Sequence, residues 1–142
     1  MGELRNTMIL IVEDDERVRD LCADVLKGSG YYVAQASNGV EALQVLAVAK
    51  SVSLVLTDIW MPTMHGCALI EAIRSDPSLA KVPILIMTGD VAPIQVPAGI
   101  RVVQKPFRID DLLEAVNTAL TYERRQSERV RGMTRSSATS TS

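Results

Sequence analysis

The sequence predicts an α/β protein built on a doubly wound, five-stranded parallel sheet, and three observations carry that prediction. Five short apolar runs recur along the chain: MILIV at 8–12, YYVAQA at 31–36, LVLT at 54–57, PILIMT at 83–88 and IRVVQ at 100–104. Segments of helical periodicity separate most of them, and strands alternating with helices over short connections favour parallel pairing. Apolar residues make up 47% of the chain, yet its aromatics are one Trp, three Tyr and one Phe. A core of Val, Ile, Leu and Ala suits strands covered by helices on both faces.

The first run is almost purely aliphatic, as expected of a strand buried on both faces. Glu13-Asp14-Asp15 follows, and then ERVRDLCADVLKGSG, where Val18, Leu21, Cys22, Val25 and Leu26 repeat at three and four residues. That spacing predicts a helix with one apolar stripe. Gly28 and Gly30 supply its stop. The GSG triplet comes after a helix and before a strand, the reverse of the order a phosphate-binding glycine turn requires, so it reads as a cap. The run at 31–36 is more amphipathic and predicts an edge strand. Asn38-Gly39 opens a second helix whose Ala42, Leu43, Val45, Leu46 and Val48 form a broad apolar surface. The runs at 54–57 and 83–88 are again nearly continuous aliphatics. Gly66 opens a third helix through Leu69, Ile70 and Ile73 to Arg74. Asp110-Asp111 starts the last, with Leu112, Leu113, Val116 and Leu120 inward, and acidic residues at that end complement the helix dipole.

With 142 residues the chain holds one domain. Residues 1–7 form a leader, 8–122 the domain, and 123–142 a polar basic tail expected to be disordered. The net charge is −2. From Glu123 onward five Arg face two Glu, a net of +3, so residues 1–122 carry −5. A globular body of that sign is a poor direct ligand for nucleic acid. Cys22 and Cys67 lie far apart without CxxC spacing, which argues against a zinc site or disulfide and fits a reducing cytoplasm. The apolar run near the N-terminus is too short for a signal segment or membrane insertion, and Asn6 breaks the myristoylation pattern at Gly2.

In open parallel sheets, ligands sit beyond the carboxyl ends of the strands. The residues there are Glu13-Asp14-Asp15, Asp58, Thr88 and Lys105, whereas the second run ends in the turn residues Ser37-Asn38. Carboxylates converging at one point repel each other unless a cation joins them. A hard-oxygen pocket of this kind suits Mg²⁺, which takes one or two carboxylates and keeps waters or phosphate oxygens. A lysine, a hydroxyl and a metal are also the parts that hold a phosphoryl group, with Asp58 as its nucleophilic acceptor.

These residues resemble the receiver domain of response regulators in two-component signalling. The resemblance spans residues 7 to 122. ILIVEDD is similar to the family's acidic pair at Glu13 and Asp14, and DIWMPTMHG to its phosphoacceptor motif. IMTG matches its hydroxyl position at Thr88, and QKPF its Lys-Pro-Phe at 105–107. The resemblance implies a flavodoxin-like sheet of order 2-1-3-4-5. It implies that Asp58 accepts a phosphoryl group from a histidine kinase or a histidine phosphotransfer protein and so switches binding to a downstream protein target. It further implies that Asp14, Asp58 and the Trp60 carbonyl bind Mg²⁺, with Glu13 acting through water. Thr88 and Lys105 would contact the phosphoryl group, and a cis peptide would precede Pro106. On this reading the chain is a single-domain, cytoplasmic signalling module rather than an enzyme, with chemistry limited to its own phosphorylation and dephosphorylation. Met61-Pro62 shapes the loop over the site, Gly66 lets it turn tightly, and Trp60 at the rim shields the acyl phosphate from water.

Two departures concern output. Pro93 and Pro97 interrupt the segment between Thr88 and Lys105, and a proline in a helix interior costs about 3 kcal/mol. A loop or one short turn is therefore expected where the family has its fourth helix. Three residues before Lys105, the family's switch aromatic is replaced by Val102. Signalling would then run through residues 89–99.

Blander roles also have their places. Asp15 reads as a helix cap, His65 as a solvated loop residue, Tyr31 and Tyr32 as sheet packing, and Asp90 equally as loop surface or as a residue that orients or repels water near the site. The ERVRD segment reads as a solvated face able to dock a kinase, with Arg19 fitting either role. A phosphorylation-independent receiver that serves as a protein-binding module is the alternative function. A Mg²⁺-dependent phosphohydrolase is disfavoured, because its signature needs a second Asp where Trp60 stands.

Overall fold

The computed structural model describes residues 7–49, 51–61, 63–89 and 100–121. Its strands are β1 (Met8–Val12), β2 (Tyr32–Ala36), β3 (Val52–Asp58), β4 (Ile84–Thr88) and β5 (Arg101–Gln104). Helices α1 (Glu16–Gly28), α2 (Gly39–Val48) and α3 (Gly66–Ser75) alternate with them, and α4 covers 109–121. All neighbouring strands pair in parallel, in the order β2-β1-β3-β4-β5, as the sequence predicts. The expected loop in place of a helix falls on 90–99, and the tail and most of the leader on 122–142 and 1–6, all outside the described residues.

Alternation along each strand divides the core into two layers. Ile9, Ile11, Leu54, Leu56, Leu85 and Met87 face Cys22, Ala23 and Leu26 of α1 and Leu112, Ala115 and Val116 of α4. Leu10, Val12, Val55, Ile84 and Ile86 face Ala42 and Leu46 of α2 and Leu69, Ile70 and Ile73 of α3. Covered on both faces, β1, β3 and β4 need apolar residues at nearly every position, which is why their sequences run aliphatic without alternation.

Local signals set the helix ends. Asp15 caps α1, its carboxylate accepting from the N–H groups of Arg17 and Val18. Gly30, at φ 97°, takes the left-handed conformation that leads the chain out of the helix. Asn38 caps α2 by accepting from the Glu41 N–H at 2.8 Å.

Two apolar residues depart from expectation. Leu21 is 50% exposed and Val48 82% exposed, although each fits its helix's apolar periodicity. The layer under α1 is filled by Cys22, Ala23 and Leu26, and that under α2 by Ala42 and Leu46. Leu21 and Val48 lie outside those layers, on the open flanks of their helices.

Candidate functional site

Strand register brings the predicted residues level. Val12 pairs with Thr57, so Glu13 at the end of β1 comes beside Asp58 at the end of β3. Asp58 pairs with Met87, which puts Thr88 one step beyond. Thr88 pairs with Gln104, and the Lys105 N–H donates to the Thr88 carbonyl at 2.7 Å. The chain continues from Lys105 through a cis peptide to Pro106.

The Lys105 ammonium lies between two carboxylates. It bonds to Glu13 Oε1 and, at 3.0 Å, to Asp58 Oδ2. The other Asp58 oxygen, Oδ1, accepts from the Ile59 N–H at 2.6 Å and the Trp60 N–H at 3.3 Å. Asp58 is therefore a nearly covered floor, 6% exposed, and not the exposed tip of its strand. Helix α3 and the loop ahead of it close over the end of β3. Thr88 is likewise buried.

Glu13 is wholly buried and held at both backbone groups. Its N–H donates to the Ala36 carbonyl at 3.0 Å, and its carbonyl accepts from Arg19 Nη1 at 2.9 Å. Burial, followed by the nearness of Asp58, pushes its carboxyl up to about 7, while Lys105 opposes the shift. Burial alone would lower the Lys105 ammonium, but pairing with Glu13 and Asp58 outweighs it and holds the group above its usual value.

Glu13, Asp14 and Asp58 each offer a carboxylate oxygen, and these lie within 4.8 Å of one another. Asp14 is the exposed member. One ammonium cannot offset three carboxylates, and the buried Glu13 Oε2 has no hydrogen-bond partner among the described residues. An orphaned carboxylate oxygen inside a cluster of hard donors fits a divalent cation such as Mg²⁺.

The loop between β3 and α3 is held closely. The Gly66 N–H donates to the Ile59 carbonyl at 2.8 Å. A Cβ on Gly66 would sit 2.5 Å from the Asp58 carbonyl oxygen and 2.7 Å from Ile59 Cα. Glycine is required here by close backbone approach, which is what lets the loop turn tightly into α3. Trp60 is 47% exposed, and Met61 is buried in the α2–α3 layer.

Two residues in this region take roles other than those the sequence reasoning gave them. Arg19 braces the Glu13 carbonyl across the start of α1. His65 is not a solvated loop residue but the N-cap of α3, its Nδ1 accepting from the Cys67 N–H at 3.1 Å. Its ring stands edge-on to Trp60, with centroids 4.9 Å apart. The position of His65 directly before Gly66 was the available signal, although histidine is an uncommon cap. Val102, in the place of the switch aromatic, is 41% exposed on β5.

Comparison with known proteins gives a consistent result. The family model described as response regulator receiver domain matches residues 9–117. The two-component response regulator ORR11 of Oryza sativa subsp. indica is 32% identical over 88 residues, 62% of this chain and 60% of that protein. The chain thus spans about three-fifths of that relative's length. A CheY-like receiver domain protein from Methanospirillum hungatei superposes with a TM-score of 0.77 at 28% identity, covering 84% of this chain and 98% of that one. The response regulator TrrA from Thermotoga maritima, solved in complex with Mg²⁺-BeF, gives a TM-score of 0.72 at 30% identity, covering 80% and 99%.

Proposed function

Because this chain belongs to the response regulator receiver domain family, we propose that it is a phosphorylation-dependent signalling module whose phosphoacceptor is Asp58. The observation that carries this reading is the Lys105 ammonium held 3.0 Å from Asp58 Oδ2, with the buried Thr88 hydroxyl at the adjacent strand end. An Asp58 oxygen attacks the phosphorus of a phosphohistidine on a partner protein. The new O–P bond forms as the N–P bond breaks, and the imidazole leaves with the electron pair. Lys105 and Thr88 receive the phosphoryl oxygens, one by charge and one by hydrogen bonding. Asp14, Asp58 and the Trp60 carbonyl would hold Mg²⁺, with Glu13 acting through water, and the ion would supply the further positive charge that the incoming dianion requires.

The partner is a histidine kinase or histidine phosphotransfer protein. Beside the site, Val18, Leu21, Gly89, Lys105, Pro106 and Phe107 line an open apolar groove of about 440 Å³, and the exposure of Leu21 makes sense as part of that docking surface. The output is a change in binding to a downstream protein, with no direct nucleic-acid contact. With Val102 lacking a ring to rotate, that output does not use an aromatic relay on β5. No helix among the described residues is long and apolar enough to cross a membrane.

Intact-protein mass spectrometry after incubation with a small phosphodonor tests the reading. A gain of one phosphoryl mass that requires Mg²⁺ and disappears in Asp58→Asn supports it. No gain under any condition leaves the phosphorylation-independent binding module as the function.

A further inference from the structure

Trp60 and His65 are the only tryptophan and the only histidine of the chain, and they touch. The Trp60 backbone belongs to the site, its N–H lying 3.3 Å from Asp58 Oδ1. Trp60 is nearly half exposed, and the part open to solvent leaves its side chain room to change rotamer. The contact that opposes this is His65, whose ring meets the indole edge-on at 4.9 Å and 89°, a favoured aromatic geometry. His65 is itself fixed. Its Nδ1 accepts from the Cys67 N–H, and it caps a helix anchored in the core by Leu69, Ile70 and Ile73. The intervening loop is closed at its base by the Gly66 N–H on the Ile59 carbonyl.

We propose that His65 is a positioning residue that holds the Trp60 indole at the mouth of the Asp58 site and thereby sets the lifetime of the phosphorylated state. The inference rests on the phosphoacceptor role of Asp58. In the step it controls, a water oxygen attacks the phosphorus and the bond to Asp58 breaks. Inorganic phosphate and the free carboxylate result, and the proton of the water leaves with the phosphate. An indole pinned by His65 narrows the approach of that water, and a released indole opens it.

Capping and ring contact separate by substitution. His65→Asn keeps an oxygen acceptor at the N-cap, a favoured capping group, but removes the ring. His65→Phe keeps a ring and removes the acceptor. The readouts are the anisotropy and acrylamide quenching of Trp60 fluorescence, free of any other tryptophan, and the decay of phosphoprotein followed by intact mass. His65→Asn is expected to lower the anisotropy, raise the quenching and speed the decay by about two- to tenfold, the range one edge-on aromatic contact allows. His65→Phe is expected to keep both readouts near wild type while losing thermal stability. Adding His65→Asn to Trp60→Ala should not speed decay further, because the two act through one indole. Phosphorylated His65→Asn decaying at the wild-type rate, or His65→Phe decaying the faster of the two, overturns the inference and leaves the phosphoacceptor reading intact. Failure of the wild type to gain a phosphoryl mass overturns both.

Discussion

At the ends of β1, β3 and β4, Glu13, Asp58 and Thr88 are 0%, 6% and 5% exposed and lie side by side. Along β5 only Val103 is buried, and Val102 stands 41% open to solvent. Both regions belong to one sheet, β5 lying next to β4 and three positions from β1, yet they are built differently. The three central strands are sandwiched between helical layers, so the polar groups at their ends inherit a fixed backbone. The outer strand has a neighbour on one side only, and three of its four residues are exposed. The phosphoryl chemistry proposed for Asp58 would need donors and acceptors placed within tenths of an ångström, and packing of the central strands supplies that precision. The outer strand is where packing constrains side chains least.

Substitutions can break or sharpen this contrast. The largest effect is expected at the centre. Leu56 is fully buried in β3, and Leu56→Ala should cost about 2–5 kcal/mol of unfolding free energy, read as a lower urea midpoint with an unchanged slope.

A smaller loss is expected where the β3–α3 loop meets the site. Alanine is favoured over glycine in helices by about 1 kcal/mol. At position 66, however, its Cβ meets the backbone of Asp58 and Ile59. Those atoms cannot rotate away, so Gly66→Ala should destabilise by about 1–3 kcal/mol, and phosphorylation of Asp58 should slow with it. A Gly66→Ala protein as stable as wild type would show that this loop yields more than its contacts indicate.

Third comes the pH response of the buried acid. Because the folded pKa of Glu13 is raised from 4.5 to about 7, folded protein keeps a proton that the unfolded chain has released. The stability from this group is therefore complete below pH 4.5 and is lost as pH rises towards and through about 7. In chelator-treated protein, the difference in unfolding free energy between wild type and Glu13→Gln should change across that window and level off above it. A pH-independent difference would mean that Lys105 compensates the charge of Glu13 fully.

Least affected is the outer strand. Val102→Ala should change stability by no more than about 0.5 kcal/mol and leave the phosphoryl gain of Asp58 intact. Loss of phosphorylation in that variant would join the two regions that the structure keeps apart.

Much of this was legible in the chain. Continuous aliphatic runs announced β1, β3 and β4, because a strand covered on both faces takes apolar residues at nearly every position. The polar residues at or just past the ends of those runs, Glu13, Asp58 and Thr88, were visible for the same reason. Asp15, Asn38 and the GSG triplet marked helix ends through short-range hydrogen bonding and backbone conformation, which are local properties. The exposure of Leu21 and Val48 was not legible, since periodicity gives the apolar side of a helix but not how far the sheet extends beneath it. Nor was the role of Gly66, whose need for glycine comes from an approach to Asp58 and Ile59 that sequence spacing does not reveal.

By itself, then, the sequence determined the order of elements, the parallel sheet and the candidate residues at its carboxyl edge, because these follow from periodicity and from interactions between near neighbours. Tertiary structure decided which of those residues meet and in what electrostatic state. Lys105 reaches Glu13 and Asp58 across separations of 92 and 47 residues. The burial that raises Glu13, the orphaned Oε2 and the His65–Trp60 contact exist only once the layers have packed. Distance, dielectric environment and exclusion of water are properties of the assembled core, and no local stretch of the chain contains them.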